Sequence, residues 1–338
     1  MNRPAIAITM GDPCGIGPEI LVKALLLERS SADFIPLVVG DPFALERAAH
    51  LLGARQGFAL IQKVEEVHSI GSRIPLLAPR ELAEADLAYA HPSKEACKAV
   101  IEYIEVAVGL AMQGTVQAVC TCPIHKANLQ RYGFPFPGHT EFLKHLTRAD
   151  RAVMMLAGPK LKVSLATIHN SLAQVPRLIN QAVLSETISI TGHALLRDFA
   201  IASPQVAVAA LNPHAGEEGR FGLEESELIE PVIKSFHATT PFKVSGPYPA
   251  DTLFYRAFQG EFDAVVAMYH DQGLIPIKLV HFHDAVNLTL GLPIIRTSVD
   301  HGTAYDLAGT GKADAGSLNA AVRMAHFLAR NRINARMA

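Results

Sequence analysis

Three apolar runs in this chain stop on a histidine. "LKVSLATIH" ends at His169, "VAVAALNPH" at His214 and "FDAVVAMYH" at His270. Three neutral imidazoles around one divalent cation leave a coordination position open for a substrate or a water. A single histidine among the 15 present is ordinarily a satisfied core or surface residue. The shared context, an apolar run before and turn residues after, is what points to joint ligation. No two of the three are spaced as a helical pair of the H-E-x-x-H kind. Their convergence therefore has to come from the fold or from a second subunit.

Other polar groups gather around these runs. "FPGHTEF" carries His139, Thr140 and Glu141, "PADTLF" carries Asp251, and "IPIKL" carries Lys278. A later stretch carries Asn287, Arg296, Asp300, His301 and Asp306. Lys278 and Arg296 sit among Ile, Leu and Pro, where a charge is costly unless paired. An anionic substrate is one partner, suited to the planar donors of arginine; an internal carboxylate is the other. The four cysteines, Cys14, Cys97, Cys120 and Cys122, match no zinc-knuckle or disulfide spacing. Cys120 and Cys122 read as strand-end packing.

The elements that must position these groups are legible in outline. Candidate strands are 5–9, 35–39, 116–120, 162–168, 206–211 and 263–268, most of them continuously apolar, as in strands covered on both faces. Between them lie helical patterns at 94–113, with Ser93 as N-cap, at 172–196, at 224–236 and at 318–330. The alternation predicts an α/β protein with a largely parallel sheet, whose sites form beyond the carboxyl ends of the strands. In "MGDPCGIGPEI", Pro18 and Glu19 open a helix at about residue 18. The glycines there do not have the dinucleotide-binding spacing and read as a tight turn. "AGTGKAD" at 308–314 lacks the first glycine of a phosphate-cradling loop.

Composition excludes other classes. The 338 residues suit two domains, and 49% apolar content supplies ample core. With 18% charged residues and a net charge of −2, there is no nucleic-acid or membrane-surface footprint. No apolar run reaches the ~18 residues of a spanning helix. "MNRPAIAITMGDP" has too short an apolar run for a secretory signal, so the expected location is cytoplasmic.

"GDPCGIGPEI", "PGHTEFL", "LNPHAGEEG", "PADTLF", "AMYHDQG" and "VNLTLGLPIIRTSVDHGTAYDLAG" together resemble the PdxA family of 4-hydroxythreonine-4-phosphate dehydrogenases, in consistent order from about residue 5 to residue 320. The resemblance implies the two-subdomain α/β/α fold of the isocitrate/isopropylmalate dehydrogenase-like type. It implies homodimers with active sites in a cleft at the dimer interface. One subdomain would hold residues 1–135 plus 300–338 and the other 136–299. A divalent metal would be held by His169, His214 and His270, one ligand coming across the dimer. Zinc is the first candidate, with magnesium, cobalt or manganese as alternatives. Substrate contacts are implied for His139, Thr140, Lys278, Asn287 and Arg296, with Lys278 and Asp251 in catalytic roles. The stretch "HGTAYDLAG" parallels a cofactor loop of the superfamily, so NAD or NADP would meet His301, Gly302, Thr303, Asp306 and Gly309, with Gly11 and Gly15.

The implied reaction is oxidation of the hydroxyl of 4-phosphohydroxy-L-threonine, then decarboxylation, in pyridoxal phosphate biosynthesis. Two departures are visible. Family members carry a glycine-rich, basic stretch where this chain has "LVHFHDAV", with His281, His283 and Asp284, and a small residue where it has Cys122. Related dehydrogenases act on four-carbon sugar-acid phosphates or on cis-diols from aromatic dicarboxylates, and both stand as alternatives. A three-histidine metal hydrolase is the alternative from another class.

Overall fold

A computed structural model describes residues 3–28, 33–55, 57–68, 72–237 and 240–337. The chain divides into two compact units, Met1–Asp150 with Leu292–Arg330, and Arg151–Gly291 with Asn331–Ala338. The divisions fall at 150/151 and 291/292, where the resemblance had suggested 135/136 and 299/300. The end of the chain belongs to the second unit.

The first unit holds strands β1 (Ala5–Thr9), β2 (Ile35–Val39), β3 (Phe58–Leu60), β4 (Ile74–Leu77) and β5 (Ala118–Thr121), with β12 (Arg296–Ser298) returning late in the chain. Their order is β3-β4-β2-β1-β5-β12, and every pairing is parallel. The second unit holds β6 (Val153–Ala157), β7 (Lys162–Leu165), β8 (Gln205–Ala209), β9 (Lys243–Tyr248), β10 (Ala264–Ala267) and β11 (Val286–Leu290), ordered β11-β6-β7-β10-β8-β9. Here β6 runs antiparallel to both neighbours, while β7, β10, β8 and β9 are parallel. β1, β5 and β10 are almost wholly buried, as their unbroken apolar sequences require.

Among the described residues, six strands escape the sequence pattern. "VMMLA" of β6 is rich in Met, Leu and Ala, which favour helix. β9 contains Gly246 and Pro247 and lies at the edge of its order, where proline is tolerated. β3 and β12 have only three residues each.

The helix Lys94–Met112 forms as expected, with Ser93 Oγ accepting from the Ala96 amide at 3.0 Å. The expected helix at 172–196 is broken. A 3₁₀ turn Leu172–Gln174 leads into the short helix Val175–Leu178, Ile179 is extended, and Asn180 caps a new helix, Gln181–Arg197. Asn180 Oδ1 accepts from the Val183 amide at 3.0 Å, a local bond that competes with a continuous helix. The expected helix at 224–236 opens with a wide π-type turn, Glu225–Ile229, before Glu230–Ser235, because Pro231 has no amide to donate into that turn. The last helix runs Gly316–Met337. No described helix is long and apolar enough to cross a membrane.

In the second unit, Asp198 is buried beside two guanidinium groups. Arg332 Nε and Nη2 lie 2.5 and 3.0 Å from its oxygens, and Arg197 Nε lies 2.8 Å away. Burial alone would raise this carboxyl, but the arginine hydrogen bonds outweigh it and hold it below the usual carboxylate range. A lowered carboxylate stabilises the fold above its unfolded-state value, and that contribution fades as pH falls through the lower folded value. Arg332→Met should therefore cost about 2 kcal/mol at neutral pH. Urea titrations should show the difference from wild type shrinking as the carboxyl protonates below about pH 4.

Candidate functional site

In the second unit, the neighbours β7, β10 and β8 send their carboxyl ends to one edge. His169 follows β7, His270 follows β10, and His214 follows β8. Asp251, in the first turn of the helix Ala250–Phe258, follows the next strand, β9, and is exposed. Backbone bonds lock these endings together. Ala166 and Thr167 donate their amides to Ala267 and Met268, and the Thr167 hydroxyl donates to the Met268 carbonyl at 2.7 Å. Gln272, which the sequence pattern does not single out, bridges two of the loops. Its Oε1 accepts from the Met268 amide and its Nε2 donates to the Ala210 carbonyl, both at 2.7 Å.

The rings of His169 and His270 stand 5.8 Å apart, centroid to centroid. With metal–nitrogen bonds of about 2.0–2.1 Å, two imidazoles at that separation can share one cation. His270 Nδ1 donates to Asp271 Oδ1 at 2.7 Å. A carboxylate only accepts, so the proton sits on Nδ1 and the Nε2 lone pair is left for a ligand. His270 also begins the helix His270–His281.

His214 sits in a different kind of ending. The turn Pro213–Gly216 puts His214 and Ala215 in the left-handed region, at φ 52° and 54°. Buried Glu225 holds this turn, accepting from the Leu211 and Asn212 amides at 2.8 and 2.7 Å. Such strain persists where the surroundings over-determine it, typically at functional loops. Among the described residues of one chain, no three His, Cys, Asp or Glu side chains are grouped closely enough to hold an ion. The four cysteines are free and buried. Burial pushes the Cys14 and Cys97 thiols up to about 12 and Cys120 up to about 11, so none offers a thiolate at neutral pH.

Lys278 lies two turns beyond His270, its ammonium 5.9 Å from the Phe282 ring centroid. Asn287, on β11, has a buried Oδ1 with no hydrogen-bond partner. His281 is a packing residue. Its buried ring fills the space over Gly158, where a Cβ would come within 2.4 Å, and its Nδ1 lies 3.1 Å from Asp284 Oδ1. His283 is exposed and edges onto Phe282.

In the first unit, β5 leads through "TCPIHK" to the helix Lys126–Arg131, and a second helix, His139–Thr147, begins with His139 and Thr140. Arg296 on β12 is buried and donates to Thr121 Oγ1 at 2.8 Å. Burial lowers its guanidinium to about 10. His139 Nε2 is buried without a hydrogen-bond partner. Burial, then the positive charges of Arg296 and Lys126, keep its ring neutral.

The glycine turn and the loop 301–313 are built into each other. Gly11 has φ 73°, and a Cβ there would meet the Pro123 carbonyl oxygen at 2.4 Å. A Cβ on Gly15 would meet the Thr303 carbonyl oxygen at 2.9 Å, and the Ile16 amide donates to that same oxygen. His301, Gly302 and Asp306 are exposed on this loop, while Thr303 is buried. Gly309, at φ 79°, packs against the Tyr89 ring. Three anchors escape sequence reasoning because each acts across the chain. Buried Asp12 accepts from the Tyr305 hydroxyl at 2.5 Å and from the Cys14 amide at 2.9 Å. Glu19 accepts from the Gly309 and Gly311 amides at 2.5 and 2.8 Å. Lys23 donates to the Gly311 and Ala313 carbonyls at 2.8 and 2.6 Å. Glu19 is 1% exposed, so Glu19→Ala strands two amides and should cost about 2–3 kcal/mol. Hydrogen exchange should show the Gly309 and Gly311 amides losing protection before the β1 core does.

Comparison with known proteins identifies the family. Residues 32–325 match the family described as pyridoxal phosphate biosynthetic protein PdxA. A 4-hydroxythreonine-4-phosphate dehydrogenase of Desulforapulum autotrophicum is 48% identical, covering 98% of this chain and 99% of that protein. A D-threonate 4-phosphate dehydrogenase of Cupriavidus necator is 45% identical, covering 97% and 98%. The crystal structure of a 4-hydroxythreonine-4-phosphate dehydrogenase from Burkholderia phymatum superposes with a TM-score of 0.86 at 42% identity, covering 97% and 99%. With the ordered motifs, the shared fold and near-complete coverage all in agreement, this chain belongs to the PdxA family.

Proposed function

We propose that this PdxA-type dehydrogenase oxidises the secondary hydroxyl of a four-carbon hydroxy acid carrying a terminal phosphate, with NAD or NADP as hydride acceptor. 4-Phosphohydroxy-L-threonine is the first candidate substrate, and a threonate 4-phosphate is the second. The carrying observation is the 45–48% identity, over nearly the whole chain, to dehydrogenases whose names share that 4-phosphate skeleton. For the first substrate the product is a β-keto acid, which loses carbon dioxide on the way to pyridoxal phosphate.

His169 and His270 are suited to hold a divalent cation, zinc first, completed by an imidazole from a second copy of the chain. A bound cation would supply Lewis acidity to the hydroxyl and the carboxylate, and a bound nicotinamide would accept hydride. The chain's own groups do the rest. Asp271 keeps the proton on His270 Nδ1, so that Nε2 remains a ligand. Lys278 provides positive charge beside the reacting hydroxy acid, and Asp251 lies in the first turn after β9. Asn287 offers a carboxamide to the substrate, and His139, Thr140 and Arg296 receive its anionic groups. Gly11, Gly15, His301, Gly302, Thr303, Asp306 and Gly309 receive the nicotinamide cofactor.

A homodimer fits the surface of the His270–His281 helix. Ile275, Leu279 and Phe282 follow one another at helical spacing and are 67%, 83% and 71% exposed. Apolar side chains so aligned on one face call for a partner surface.

Incubation with 4-phosphohydroxy-L-threonine, zinc and NAD or NADP should generate reduced-nicotinamide absorbance and release carbon dioxide. Turnover without nicotinamide would support the hydrolase instead. Oxidation confined to aromatic cis-diols would move the chain to that group of relatives. Asp271→Ala should weaken zinc binding about tenfold or more in competition with a chromophoric chelator. Unchanged affinity would remove His270 from the ligand set.

A further inference from the structure

We propose that His281 is a positioning residue of the hydroxy-acid site, a ring seated over Gly158 that fixes Lys278 and Asn287 relative to each other. The roles of Lys278 and Asn287 rest on the substrate reading above; the seat rests on the following geometry.

Residues 279–284 join the helix His270–His281 to β11. His281 alone among them is buried, at 6% exposure, while Leu279, Val280, Phe282, His283 and Asp284 are exposed. One side chain therefore fixes where the helix ends. Its ring occupies the place that a side chain at position 158 would take. A Cβ on Gly158 would come within 2.4 Å of both Cγ and Cδ2 and within 2.9 Å of Nδ1. The Gly158 backbone lies outside the left-handed region, so it is the ring that requires a glycine there.

Two polar contacts orient the ring. Nδ1 lies 3.1 Å from Asp284 Oδ1, and the Lys160 amide donates to Nε2 at 3.4 Å. A carboxylate only accepts, so one tautomer, with the proton on Nδ1, serves both contacts. The Ala285 amide donates to the His281 carbonyl at 3.0 Å and closes the turn. The Lys160 ammonium sits 4.9 Å from the Phe258 ring centroid, which ties the same β6–β7 connection to the helix Ala250–Phe258.

These contacts complete a circuit. β6 runs into Gly158, and β6 also sets the register of β11, with Ala157 opposite Val286 and Leu156 opposite Asn287. Lys278 lies three residues before His281, on the same side of the same helix. The helix end and β11 therefore share one support, although the turn between them is exposed. A substrate that meets both Lys278 and Asn287 needs their spacing preset, since a displacement of about 1 Å can cost on the order of a hundredfold in rate.

The test is a double-mutant cycle. His281→Ala should lower kcat/KM for the phosphorylated hydroxy acid about ten- to a hundredfold, with KM rising, and leave the nicotinamide KM within about twofold. Gly158→Ala unseats the ring without altering residues 279–284 and should do the same; it carries the test should the alanine at 281 prevent folding. His281→Gln, whose carboxamide can accept from the Lys160 amide, should recover most of the loss. In the Asn287→Ala background, His281→Ala should cost less than about twofold further, because the residue acts through that side chain. A merely structural role predicts a lower thermal midpoint and a lower kcat at unchanged KM. That result overturns the proposal, as does full additivity of His281→Ala with Asn287→Ala. Oxidation of the hydroxy acid with both single variants matching wild type removes the positioning role alone. Oxidation of a cis-diol and not of the hydroxy acid removes the substrate reading alone, and the cycle run with the diol then decides the role of His281 by the same criteria.

Discussion

The parallel pairing of β7, β10 and β8 is the constraint on which the second unit's chemistry depends. Parallel neighbours all end at the same edge, so three separate apolar runs deliver His169, His270 and His214 to one rim. The pairing is extended past the strands by Thr167, which bonds to Met268, and by Gln272, which bonds to the backbone at Met268 and Ala210. These uncharged contacts fix the spacing between histidine loops without competing for the imidazole nitrogens. Asp271 then settles which nitrogen of His270 is available, a matter of one proton decided by an adjacent carboxylate.

The first unit follows a different economy. Its loop 301–313 has no regular structure of its own, and loops of that kind hold a shape only when their backbone groups are satisfied. Glu19 and Lys23, one helical turn apart, accept from two loop amides and donate to two loop carbonyls. Asp12 reaches the same loop through Tyr305, whose ring stacks on His125 at 5.0 Å. One short helix and the turn before it thus shape a segment almost 300 residues away. Arg296 adds a second theme: a guanidinium buried on β12 and held by the Thr121 hydroxyl.

Much of this was readable from residue order. The buried strands β1 and β2 and the capped helix Lys94–Met112 follow from apolar runs and from Ser93, because burial on both faces and capping leave local signatures. The histidines at strand ends were legible for the same reason: an apolar run stopping at a polar turn marks the carboxyl end of a strand. The broken helix at 172–196 was not, since Asn180 competes for backbone bonds in a way that apolar spacing does not record. β6 and β9 were hidden because their residues favour other structures and are overruled by the neighbours they pair with.

By itself the sequence determined the class of the protein, α/β with histidines at strand ends, because hydrophobic periodicity and turn residues are local properties. The family resemblance marked the His281 segment as a departure, but not that His281 would serve as packing over Gly158. Tertiary structure alone decided which ends are neighbours and that two imidazoles approach within 5.8 Å. Those outcomes depend on strand order and on contacts between residues distant in the chain. No local pattern carries that information, because the energy that fixes it appears only when the elements pack.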